Sequence, residues 1–140
     1  MKAKQFLNQL EKLDRIIENK LIEKEQWRNI ALGTAPQTTG ERVQSSGSKQ
    51  KMADAIDKYI DIEREIDEHI DRLVDAKKDV ISVIEKLDVT EYDLLHKVYV
   101  QRVTLYEAAD KLDRSYSWAT TVHGRALANV QKILDERGLQ

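Results

Sequence analysis

An all-α protein is the fold class this sequence predicts, and three observations predict it. Of 140 residues only 5 are Gly and 1 is Pro, too few for the turns that short strands require. Apolar residues recur at three- and four-residue steps over long stretches, which is the period of an amphipathic helix. Residues that cap helix N-termini then gather in the last third of the chain.

The first helix is expected from Gln5 to about Ala31. Phe6, Leu10, Leu13, Ile17, Leu21 and Trp27 form its stripe, widened by Leu7, Ile16 and Ile22. Gly33 can end it. From there to Ser48 the chain concentrates Thr, Ser, Gly, Gln and Pro36 with hardly an apolar anchor, so residues 33–50 read as a mobile linker.

Met52 to Leu87 contains neither Gly nor Pro and carries a heptad repeat. One row is Met52, Tyr59, Ile66, Leu73, Val80 and Leu87; the other is Ile56, Glu63, Ile70, Lys77 and Ile84. A helix over residues 51–87 would be about 55 Å long and could not bury its stripe alone. The first helix can fold back along part of it as a hairpin. The remainder predicts a homo-oligomer, with Tyr59, Ile66, Ile70, Leu73 and Val80 as its seam and Glu63 and Lys77 setting its register.

Three helix starts follow. Thr90 with Asp93 resembles a capping box, with Val89 and Leu94 placed as its hydrophobic staple. Thr104 with Glu107 has the full signature, and Ser115 offers a third N-cap. The implied helices are 91–102, 105–112 and 116–136, the last ending near Gly138. Residues 1–89 thus form a hairpin and oligomerisation region, and residues 90–140 a separate domain.

Two helices joined by a tight turn, the second one longer, give the outline of a helix-turn-helix. Ala109 is small where two helices would cross, while Leu112, Ala119, Val122 and Leu127 fall on the packing faces. Asp113 sits at the turn, where Asp tolerates a left-handed conformation. The outer face of the last helix would show Tyr116, Ser117, Thr120, Thr121 and Gly124, neutral hydrogen-bonding groups suited to base edges in double-stranded DNA. Arg102, Arg114, Arg125 and Lys132 are the candidate phosphate contacts.

Residues 91–130 resemble the fourth conserved region of bacterial primary-type sigma factors. Thr104-Leu105, Glu107, Ala109, Leu112, Ser115 and His123-Gly124-Arg125-Ala126-Leu127 carry the resemblance, which covers less than a third of the chain. With its helical amino-terminal half, the chain is similar to small sigma-like regulators of Gram-positive phages and prophages, including the RinA and ArpU groups. The resemblance implies promoter binding and contact with RNA polymerase. Trp118, Thr120 and Thr121 depart from it, standing where sigma factors carry Arg, Glu and Gln, and Arg114 occupies a usually apolar position. So uncharged a reading face calls for dimerisation to double the contacts.

The net charge of −2, from 23 basic and 25 acidic residues, excludes a basic tail protein, and the acid is concentrated in residues 51–90. Cysteine is absent, which excludes disulfides and thiolate sites. No apolar leader follows Met1 and no run approaches a membrane span, so a cytoplasmic protein without membrane contact is expected.

Two other readings remain open. One is a helical protein-interaction module without DNA binding, with the acidic second helix capturing a partner. The other is an all-α metal-dependent nucleotide pyrophosphatase, because Asp61, Glu65, Glu68, Asp71, Asp75 and Asp79 share helical spacings. Glu65-Ile66-Asp67-Glu68 matches half of the paired acidic elements such enzymes use, and Arg64, Arg72, Lys77 and Lys78 can pair with these acids along the helix. His69 lacks a Glu three residues before it, and His96 and His123 stand apart from plausible ligands. There is no phosphate loop and no nucleophile motif. No catalytic residue, metal or cofactor is therefore expected.

Overall fold

The computed structural model of the chain describes residues 1–33 and 46–138. Among the described residues every regular element is helical: α1 (Ala3–Ala31), α2 (Ser46–Ile84), α3 (Val89–Leu95), α4 (Leu105–Lys111) and α5 (Tyr116–Glu136), with a π-helical turn over His96–Val100 continuing α3. The segment read as a linker extends beyond the described residues at 34–45, but Ser46–Gln50 belong to α2. A helix already nucleated by an apolar stripe gains one hydrogen bond for each residue it adds, so its first turn extends through Ser and Gly although both are poor helix formers.

Packing divides the chain into two compact units, Met1–Leu13 with Leu73–Gln140, and Asp14–Arg72. The division differs from the boundary at residues 89 and 90 expected from the run of helix starts. In the first unit, Phe6, Leu7 and Leu10 of α1 share one core with Val80, Val83 and Ile84 of α2, Leu95, Tyr99, and Ala126, Val130 and Leu134 of α5. The start of α1 is held directly on α5, where the Gln131 side-chain oxygen accepts the Ala3 N–H at 2.8 Å.

In the second unit α1 and α2 run antiparallel, as the ion pairs Lys20–Glu65 (2.8 Å) and Lys24–Glu63 (3.1 Å) show. Lys24 also lies over the Tyr59 ring. Leu21, expected in the α1 stripe, is exposed together with Ile22.

The heptad repeat of α2 is real, but Met52 at the start of its first row is exposed, and its second row differs from the expected one. Ile66 and Val80 are buried, and Tyr59, Leu73 and Leu87 are half-buried. The companion row is Ala55, Ile62, His69, Ala76 and Val83, which lies three residues on from the first row rather than four. Ile56 and Ile70 stand in solvent, as do Glu63 and Lys77, while Ile84 is buried. A 3.5-residue period leaves both flanks available. The isoleucines made the wrong flank look apolar, whereas the small Ala55 and Ala76 mark the side where a neighbouring helix fits. Ile66 and Val80 therefore close within the chain, and Glu63 pairs with Lys24.

Asp88, not Thr90, caps α3: its carboxylate accepts the Glu91 N–H at 2.8 Å. Val89 is 75% exposed, so the expected staple with Leu94 is absent. Asp88-x-x-Glu91 satisfies the same spacing rule as Thr90-x-x-Asp93, and Asp is the stronger cap. The other two caps stand where expected, with Thr104 accepting the Glu107 N–H at 3.1 Å and Ser115 the Trp118 N–H at 3.0 Å.

Candidate nucleic-acid interface

The candidate interface is built by α4, α5 and the turn between them. Asp113 lies in the left-handed region at φ 56°, and the chain reverses around it. Its N–H reaches the Asp110 carbonyl at 3.0 Å, and the Arg114 N–H reaches the Ala109 carbonyl at 2.9 Å. This is the bond pair of a Schellman motif, which satisfies the carbonyls at the end of α4 and aims the chain into α5. Ala108, Ala109, Ala119 and Val122 pack with Leu94 of α3, and the three alanines allow close helix approach. Arg102, at φ 60°, is a second left-handed non-glycine residue, placed where the π-helical turn gives way to α4.

Packing that inner face leaves Tyr116, Ser117, Thr120, Thr121 and Gly124 of α5 exposed. They are separated by three- and four-residue steps and so share one outward stripe. A Cβ placed on Gly124 would meet nothing within 4 Å, so among the described residues no neighbour requires a glycine there. Tyr106 of α4, not among the contacts expected from sequence, is 69% exposed and stands with its ring centroid 6.1 Å from that of Tyr116. Helical phase alone did not fix its exposure, since inward Ala108 lies across the helix from it but inward Ala109, three residues on, lies on a neighbouring face.

The four expected phosphate contacts do not stand together. Arg114 is exposed at the turn with its guanidinium 5.2 Å from the Trp118 ring centroid. Next to it, Thr90, Asp93, Leu112, Arg114 and Trp118 line a shallow cavity of about 160 Å³. Arg102 is exposed at its left-handed position. Lys132 is also exposed, but it lies about 16 Å farther along α5 than Thr121. Arg125 is committed within the fold: its Nε–H donates to Glu91 at 2.9 Å, and Nη2 lies 3.8 Å from Asp88. Between two carboxylates it acts as a brace from α5 to α3 rather than as an available cation.

No family model, curated protein or solved structure matches this chain.

Behind the outward stripe, sequence reasoning missed a polar pair. The Tyr99 hydroxyl lies 2.7 Å from His123 Nε2, with the two rings stacked at 5.8 Å. Burial raises the Tyr99 pKa. Burial, with a smaller contribution from the Lys4 charge, lowers that of His123. The hydrogen bond between the Tyr99 hydroxyl and His123 Nε2 joins the π-helical turn to α5, its direction set by the imidazole tautomer.

Of the acidic residues on α2, Glu65 pairs with Lys20 and Asp79 with Arg137. Among the described residues no three His, Asp or Glu side chains converge as a metal site, and no helix is long and apolar enough to cross a membrane.

Proposed function

We propose that this chain is a sequence-specific DNA-binding transcription regulator of the sigma-like kind found in phages and prophages, reading the major groove with the outward face of α5. Gly124 carries the reading. A glycine in a helix interior costs about 1 kcal/mol relative to alanine, and among the described residues no contact explains it here. It lies in line with Ser117, Thr120 and Thr121, so the missing side chain allows close approach by a molecule from outside. Exposed Arg102 and Arg114 flank α4 and would position the duplex through its phosphates. Contact with RNA polymerase belongs to the same reading.

The stripe itself carries no charge, and a second copy would double its contacts. In this reading self-association uses the exposed Ile56, Ile60 and Ile70 of α2. The same residues favour a second reading, a helical protein-interaction module without DNA binding. Selection of fragments bound by the purified chain from fragmented host and prophage DNA separates the two. A regulator retains a recurring sequence, and Thr120→Ala with Thr121→Ala weakens preference for it by about 1–3 kcal/mol with unchanged helical circular dichroism. Unaltered preference in that variant would remove α5 as the reading helix, and absence of any enriched sequence would leave the interaction module.

A further inference from the structure

Two residues of the outward stripe of α5, Thr120 and Thr121, are chemically one-sided. Thr120 Oγ1 donates to the Ser117 carbonyl at 2.8 Å, and Thr121 Oγ1 donates to the same carbonyl at 3.1 Å. Each threonine has one hydroxyl proton, and both are used inside the helix. What remains is the acceptor capacity of each oxygen and the γ-methyl branch, which is not tied to the backbone. Tyr106 and Tyr116 add two exposed aromatic rings at the start of the stripe. None of Tyr116, Ser117, Thr120, Thr121 or Gly124 is a cation, so the stripe lacks the side chains that most often grip guanine.

The base pairs differ in what they offer such a surface. Guanine presents two acceptors in the major groove, N7 and O6, and calls for donors. A T·A pair presents the thymine C5-methyl, an apolar group, together with the adenine N6 amino donor. Methyl branches and aromatic rings complement the first, which no G·C pair offers. Threonine oxygens with committed protons would accept from the adenine N6 and cytosine N4 amino groups alike, so the methyl is what discriminates. Resting on the DNA-binding reading above, we propose that Thr120, Thr121 and the Tyr106–Tyr116 pair recognise thymine methyl groups in T·A base pairs of the major groove.

The test starts from a duplex site enriched by the full-length chain from a random-sequence library. Thymines of that site are then replaced one at a time by deoxyuridine, which pairs identically but lacks the methyl. At one or more adjacent positions the replacement is expected to weaken binding about three- to fivefold, the effect of exposing one buried methyl. In Thr120→Ser with Thr121→Ser, which keeps both hydroxyls and removes both methyls, the same replacement should have less than a twofold effect. Equal affinity for all deoxyuridine duplexes, or a selected site made of G·C pairs, overturns the proposal while leaving DNA binding in place. Failure to enrich any duplex overturns both.

Discussion

Arg125 on α5 donates its Nε–H at 2.9 Å to the carboxylate of Glu91 on α3, a side chain that is only 2% exposed. Asn129, one helical turn farther on, donates to both oxygens of the same carboxylate, at 2.9 and 3.0 Å. The two α5 side chains hold a buried anion and with it set the position of α3 behind the helix-turn-helix. Arg125→Ala would leave that carboxylate with Asn129 as its remaining side-chain donor. Loss of one partner of a buried charge costs about 3–5 kcal/mol, and the half-exposed guanidinium places this case at or below the lower end, about 2–3 kcal/mol. Urea unfolding measures it, and a change below about 0.5 kcal/mol would show that the pair contributes no net stability.

Stability should fall on the acidic side through His123. Its folded-state pKa is depressed below the ordinary value of about 6.5, so the unfolded chain binds the extra proton more readily. The contribution is complete above the unfolded value and is lost as pH falls through 6.5 toward the folded one. Tyr99 acts at the opposite end: its raised pKa gives a contribution that is lost as pH climbs above about 10. Unfolding free energies of the wild type and His123→Gln between pH 5 and 8 should converge toward acid, and parallel curves would contradict this.

The two rows of α2 can be told apart by charge insertion. Ile66 is 6% exposed and Ile70 is 42% exposed, although the heptad pattern made both look like core. Ile66→Asp buries an unpaired carboxylate and should cost about 4 kcal/mol or more. Ile70→Asp should change stability by less than about 1 kcal/mol in the monomer. If the Ile70 row mediates self-association, sedimentation will show that variant, and not Ile66→Val, shifted toward monomer. Similar denaturation midpoints for Ile66→Asp and Ile70→Asp would refute the assigned register.

Gly124→Ala should separate stability from binding. The new methyl enters open space on an exposed helix interior, so the fold should gain about 1 kcal/mol. The same methyl intrudes where the groove floor would approach, and affinity for a selected duplex should fall. A variant that is more stable and binds DNA equally well would leave Gly124 without a function.

Sequence alone determined the parts of this protein whose cause is local. The caps at Thr104 and Ser115, the left-handed turn at Asp113, the end of α1 near Gly33 and the span of α5 each depend on residues within about one turn of one another. Their hydrogen bonds and backbone preferences act over that distance whatever the rest of the chain does. The outward stripe of α5 was legible for the same reason, since helical phase and the inward Ala119 and Val122 place it.

Tertiary structure decided whatever required a choice between equivalent local solutions. Asp88 and Thr90 both satisfy the capping rule, and Asp88 prevails where Glu91 must turn inward to meet Arg125 and Asn129. The two flanks of the α2 heptad have the same period, so which of them is core follows from where α1 lies in the Asp14–Arg72 unit and from the shared core around Val80. Arg125 reads in sequence like any other cation near a recognition helix. It becomes a brace because a carboxylate 34 residues away is buried against it, a pairing that no local pattern encodes.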